Sequence, residues 1–90
     1  MSKVILQGHI IVPASDLARV TNELANHITL TKAEHGCLIF KVAVDRQNPH
    51  KFNVYEEFVN QAAFDNHQQR VKQSTWGQVT QNVNRHYAIT

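Results

Sequence analysis

Lys51-Phe52-Asn53-Val54-Tyr55-Glu56-Glu57-Phe58-Val59, followed at once by Asn60-Gln61-Ala62-Ala63-Phe64-Asp65-Asn66-His67, changes its hydrophobic period at its middle. Up to Val59 the period is two. Phe52, Val54, Glu56 and Phe58 share one face and Asn53, Tyr55 and Glu57 the other, as in a strand. From Asn60 onward Ala63, Phe64, His67 and Val71 recur at offsets of three and four, as in a helix whose free amides Asn60 can cap. Two residues interrupt the apolar faces. A carboxylate at Glu56 needs a partner if that face is buried, and the imidazole of His67 is either satisfied by its neighbours or free to act.

Upstream, Cys37 to Asp45 reads as a strand with Leu38, Phe40, Val42 and Val44 on one face, joined to Lys51–Val59 through the turn signal Asn48-Pro49. Val4 to Val12 is a β-branched strand ending at Pro13, and Gly8 leaves a gap on its wholly nonpolar face. Ser15 or Asp16 can cap a helix with Leu17, Val20, Leu24 and Ile28 at helical spacing, running to about Glu34 and closed by Gly36. Downstream, Ser74 opens a short helix through Trp76 to about Val83, weakened by Gly77, and Asn84 to Thr90 forms a closing strand. The order is β-α-β-β-α-β, an α+β ferredoxin-like arrangement with an antiparallel sheet, expected as one domain over residues 1–90. Two helices cover only one face of such a sheet. Because the strands are largely apolar on both faces, a second copy is expected to cover the other, giving a homodimer whose sheets close into an α+β barrel.

The composition narrows the function classes. Nine basic and seven acidic residues are scattered, with no Lys or Arg run to follow a phosphate backbone, which argues against nucleic acid as a partner. The six histidines, at positions 9, 27, 35, 50, 67 and 86, are dispersed and show no metal-ligand spacing. Cys37 stands alone, no signal sequence opens the chain, and no apolar run approaches the roughly 20 residues of a membrane span. These features set the expectation of a cytoplasmic protein with no membrane partner. Neither a phosphate-binding glycine loop nor a Gly-x-Ser-x-Gly elbow occurs.

Glu34-x-Gly36-Cys37-Leu38-x-Phe40, Asn48-Pro49, Phe52-x-Val54-Tyr55-Glu56-x-Phe58 and Ala63-Phe64-x-x-His67 together resemble the antibiotic biosynthesis monooxygenase family. The resemblance covers nearly all of the chain. It implies small dimeric α+β barrels, among them quinol monooxygenases that use neither metal nor flavin, with a pocket between sheet and helices beside His67. The implied reaction is oxidation of a quinol-like or polyphenolic molecule by dioxygen, with no cofactor. The haem-degrading branch of the same superfamily is not matched, since Gly8, His67 and the Trp76 region stand where it carries Asn, Trp and His.

In that reading His67 is the catalytic base, because an imidazole titrates near physiological pH. Glu56 orients it, or else makes a structural bond to a strand-end amide or to Arg85. Trp76 stacks on the substrate ring, Phe40 and Phe64 form walls or ordinary core, and His86, whose facing the sequence does not fix, is a further substrate-binding candidate. Tyr55 and Tyr87 are expected at the barrel interface. Two other readings stay open: an isomerase or degrading enzyme for a small hydroxycarbonyl signal, and a non-catalytic dimeric binding or stress-associated module.

Overall fold

In the computed structural model, which describes residues 2–90, the alternating segments become strands β1 (Val4–Ile11), β2 (Cys37–Val44), β3 (Lys51–Phe58) and β4 (Asn84–Ile89). They form one sheet in the order β2-β3-β1-β4, with every neighbouring pair antiparallel. Helices α1 (Leu17–Lys32), α2 (Gln61–Lys72) and α3 (Thr75–Val79) complete the ferredoxin-like α+β fold expected from the sequence. The starts of α2 and α3 follow from local signals. The Asn60 side chain accepts from the Ala63 amide at 2.8 Å and Ser74 from the Gly77 amide at 3.1 Å, each satisfying a donor that a helix start leaves free.

The start of α1 is built differently from the expectation. Neither Ser15 nor Asp16 caps it through its side chain; a 3-10 turn over Ala14–Asp16 follows Pro13, and the buried Asp16 carboxylate pairs with Arg19. The helix buries Val20, His27 and Thr31, with Leu17 and Leu24 partly covered, so its inward stripe runs through His27 rather than Ile28. Past it, Gly36 at φ 92° takes the left-handed conformation, and a Cβ there would stand 2.7 Å from the Ala63 side chain. Helix α3 is shorter than expected, ending at Val79, while Val83 is buried in the core.

The alternation of β1 and β3 sets their helix-facing side, where Val4, Leu6, Ile10, Phe52, Val54 and Phe58 are all buried; Glu57 on the opposite face is buried as well, paired with Lys3. In β2 the alternation breaks at a bulge between Cys37 and Ile39, where Leu38 is 53% exposed while Cys37, opposite Phe58, packs against the apolar cluster that holds Phe58. At Gly8 a Cβ would lie 1.9 Å from the His86 carbonyl oxygen. The gap in β1 is therefore what allows β4 to lie against it.

Apolar contacts divide into two clusters. One gathers Ile10, Val12, Val20, Phe52, Trp76 and Val83; the other gathers Val4, Leu6, Val54, Phe58 and Phe64. Among the buried polar residues of the sheet and helices are His27, Glu56 and His67. No helix among the described residues is long and apolar enough to cross a membrane.

Candidate functional site

Three elements bring His27, Glu56 and His67 together. Residue 27 lies on the inward stripe of α1, residue 56 on the helix-facing side of β3, and residue 67 three residues after Phe64 on α2. They line one cavity of about 170 Å³ with Leu6, Trp76 and Val71, while Gln68, Arg85 and Tyr87 complete its wall. A space of that size accommodates roughly one six-membered ring.

His67 is held from one side. Its Nδ1 lies 2.7 Å from Glu34 Oε1, and the other oxygen of that carboxylate accepts from Arg70 Nε at 2.9 Å. Arg70 is fixed in turn by a 2.9 Å bond to Thr31 Oγ1. A carboxylate can only accept, so Nδ1 carries the proton and the neutral ring keeps its lone pair on Nε2. Nε2 stands 3.7 Å from Glu56 Oε1, too far for a hydrogen bond, and that oxygen is buried with no partner among the described residues.

Burial sets the charge states. It pushes the Glu56 carboxyl up to about 7, with the negative charge of Glu34 acting in the same direction. It also lowers His67 below its ordinary value, a shift that the Glu34 hydrogen bond and charge oppose and the Arg70 charge augments. Just below neutrality the pair thus favours a protonated carboxyl facing an unprotonated imidazole nitrogen, one donor beside one base. His27 is pressed down to about 3, first by burial and then by the charges of His67 and Arg70. It lies flat on Trp76, with ring centres 4.5 Å apart and planes within 4°, and its Nδ1 is also buried without a partner.

Of the residues expected to form the site, His67, Glu56 and Trp76 line this cavity. Phe40 stands behind the two imidazoles, its ring centre 5.2 Å from His27 and 5.9 Å from His67. Phe64 packs edge-on against Phe58 in the second apolar cluster, so it is core and not a wall of the cavity. His86 is also displaced from the expected role: register pairs it with His9, and the two rings stack at 4.7 Å on the helix-free face. Tyr87, expected at the interface, instead alternates with His86 onto the cavity side together with Arg85. The carboxylate hydrogen-bonded to His67 is Glu34, at 2.7 Å, whereas Glu56, expected in that place, stands 3.7 Å from the other ring nitrogen.

Sequence signals existed for some of the missed residues. Val20, Leu24, His27 and Thr31 are spaced as a single helical stripe, and Arg70 follows His67 by three, on the same face of α2. Glu34 belongs to the Glu34-x-Gly36-Cys37 segment, but its reach across to α2 is a tertiary contact. Among the described residues no group of three or more His, Cys, Asp or Glu is placed to hold a metal ion.

No curated protein matches the chain. Solved structures do. A candidate antibiotic biosynthesis monooxygenase from Deinococcus radiodurans is 26% identical, covers 97% of this chain and 87% of its own, and superposes with a TM-score of 0.72. Another from Bacteroides thetaiotaomicron has a TM-score of 0.81 at 16% identity, covering 98% of this chain and 85% of its own. A conserved protein from Methanosarcina mazei has a TM-score of 0.73 at 18% identity over 100% and 90% of the two chains, and shares the fold. The family model described as antibiotic biosynthesis monooxygenase matches residues 4–78, spanning every element up to α3, and on that match the chain belongs to the antibiotic biosynthesis monooxygenase family.

Proposed function

We propose that this protein is a cofactor-independent monooxygenase of a quinol-like, single-ring molecule, with residues 1–90 forming one catalytic domain in a cytoplasmic homodimer. The observation that carries this reading is the orientation of His67. Glu34 occupies Nδ1 at 2.7 Å, which leaves Nε2 as a base at the wall of the cavity, 3.7 Å from the carboxyl of Glu56. A single substrate oxygen at about 2.8 Å from both groups fits that separation. It gives its proton to His67 Nε2 and accepts a hydrogen bond from the Glu56 carboxyl, which keeps its own proton, so the base and the donor act on the same atom.

The resulting quinolate is electron-rich enough to reduce dioxygen by one electron. Recombination forms a carbon–oxygen bond to the ring, and loss of water leaves a hydroxyquinone. One oxygen atom ends on the ring and the other in water, and the substrate supplies all the electrons. Trp76 and the stacked His27 present flat surfaces for the ring, and Phe40 backs the imidazoles. The helix-free face, with Ile5, Ile11, Ile39 and Tyr55 partly covered, supports the dimer.

Metal-stripped protein is expected to consume oxygen with a hydroquinone panel. His67→Ala should lower the rate by roughly 10²–10⁴-fold, the usual worth of a general base, at unchanged circular dichroism. Equal rates for the two proteins would remove His67 from the mechanism. A second reading is favoured by the same acid and base on one cavity wall, which suit a keto–enol shift in a small hydroxycarbonyl compound. Turnover under anaerobic conditions would select it.

A further inference from the structure

Arg85 is the feature of the cavity wall that this chemistry leaves unused. Its guanidinium donates to the Thr80 carbonyl at 3.1 Å and to Thr80 Oγ1 at 3.2 Å, and Thr80 is itself buried on the end of α3. These two bonds fix the cation in place without neutralising it. Among the described residues no carboxylate forms an ion pair with Arg85, whereas the acids Glu34, Glu57 and Asp16 each hold a basic partner.

Register separates Arg85 from the acid–base pair. Glu56 lies opposite Leu6 on β1, and Arg85 lies opposite Ile10, four residues further along the same strand. That is about 13 Å along the sheet at the backbone. Tyr87, opposite Gly8, stands between them. The cavity is therefore polarised, with a donor–base pair at one end and a fixed, uncompensated cation towards the other. A guanidinium in that setting pairs best with a planar two-oxygen anion, which it can meet through two parallel bonds.

We propose that the ligand of this cavity is a single ring bearing a carboxylate as well as a hydroxyl, the hydroxyl between His67 Nε2 and Glu56 Oε1 and the carboxylate on Arg85. This assignment of substrate class rests on the reading of His67 as the base, but its charge selection is a property of Arg85 and can be measured without turnover. Tyr87 and Gln68, which also line the wall, add hydrogen-bonding capacity and no charge.

The test is binding by calorimetry under nitrogen, with 4-hydroxybenzoate, its uncharged isostere 4-hydroxybenzamide, and phenol as probes. The acid is expected to bind about tenfold more tightly than the amide, the worth of one charge-assisted pair at a partly exposed site. Arg85→Gln should abolish that preference while binding the amide as the unaltered protein does. Arg85→Lys, which keeps the charge but not the fork, should retain part of it, and His67→Ala should leave it intact. Equal affinity for acid and amide, a preference surviving Arg85→Gln, or no binding of the acid at millimolar concentration would each overturn the proposal. A preference without oxygen consumption would uphold the charge selection while refuting the monooxygenase reading.

Discussion

Glu34 and Glu56 are both carboxylates near one imidazole, yet their surroundings give them opposite tasks. Glu34 is tied to Arg70 and acts as the acceptor that sets the tautomer of His67. Glu34→Gln keeps an acceptor at Nδ1 but removes the charge that raises the affinity of His67 for a proton. The imidazole should then titrate at still lower pH by NMR, and kcat should fall by roughly 10- to 100-fold with KM little changed. Titration unaffected by the substitution would contradict this coupling. For Glu56 the sign is the reverse of a paired acid. The unfolded chain releases this proton near 4.5 and the folded one near 7, so between those values the unfolded state holds fewer protons and stability falls as pH rises. Glu56→Gln should abolish that slope and stabilise the protein above pH 7, by up to roughly 3 kcal/mol, as read in urea melts at pH 5 and pH 8.

At the scale of elements, the joint between β1 and β4 depends on one missing side chain. Gly8→Ala would set a methyl group 1.9 Å from the His86 carbonyl oxygen, which is backbone and cannot turn aside. A loss of about 2–4 kcal/mol in chemical denaturation is expected, and with it the register that aims Arg85 and Tyr87 at the cavity. Unchanged stability would mean that β4 is not held as described. The same joint shows what the sequence could convey. Gly8 was legible as a gap, and the period change at Asn60 gave β3, α2 and the inward facing of Glu56 and His67. The facing of β4 was not legible, because Asn84-Arg85-His86-Tyr87-Ala88-Ile89 is exposed along its length and carries no clear alternation. Only its pairing with β1 shows that His86 joins His9 and that Tyr87 turns inward. The bulge at Leu38 was hidden for a related reason: Cys37 to Val44 is apolar enough on both faces that a one-residue slip leaves no mark in the pattern.

Across the whole molecule, opposed titrations shape the pH profile of stability. His27 takes a proton near 6.5 when unfolded and only near 3 when folded, so its contribution is complete above 6.5 and is lost as pH falls towards 3. Glu56 acts in the opposite sense between 4.5 and 7, and over their shared range the two slopes offset each other. A broad stability plateau from about pH 4.5 to 6.5 is therefore expected, with a fall on the acid side that His27→Phe should reduce. An acid limb unchanged by that substitution would assign it to other groups. The proposed dimer belongs to this scale too. Sedimentation at micromolar concentration should give twice the chain mass, and a monomer there would leave the helix-free face without the occupant its partly covered isoleucines suggest.

Strand β4 contributes Arg85 and Tyr87 to the cavity while resting on a single neighbour, β1, with all six of its residues exposed. Such an edge strand is expected to open at a lower free energy than β1, which is paired on both sides, and the wall of the chamber would then serve as its door. Entry and exit of the ring would then be timed by fraying of the chain's last strand. The exchange rate of the β4 amides with deuterated solvent becomes a clock for ligand release, and slow exchange there on ligand binding would record the door held shut from inside.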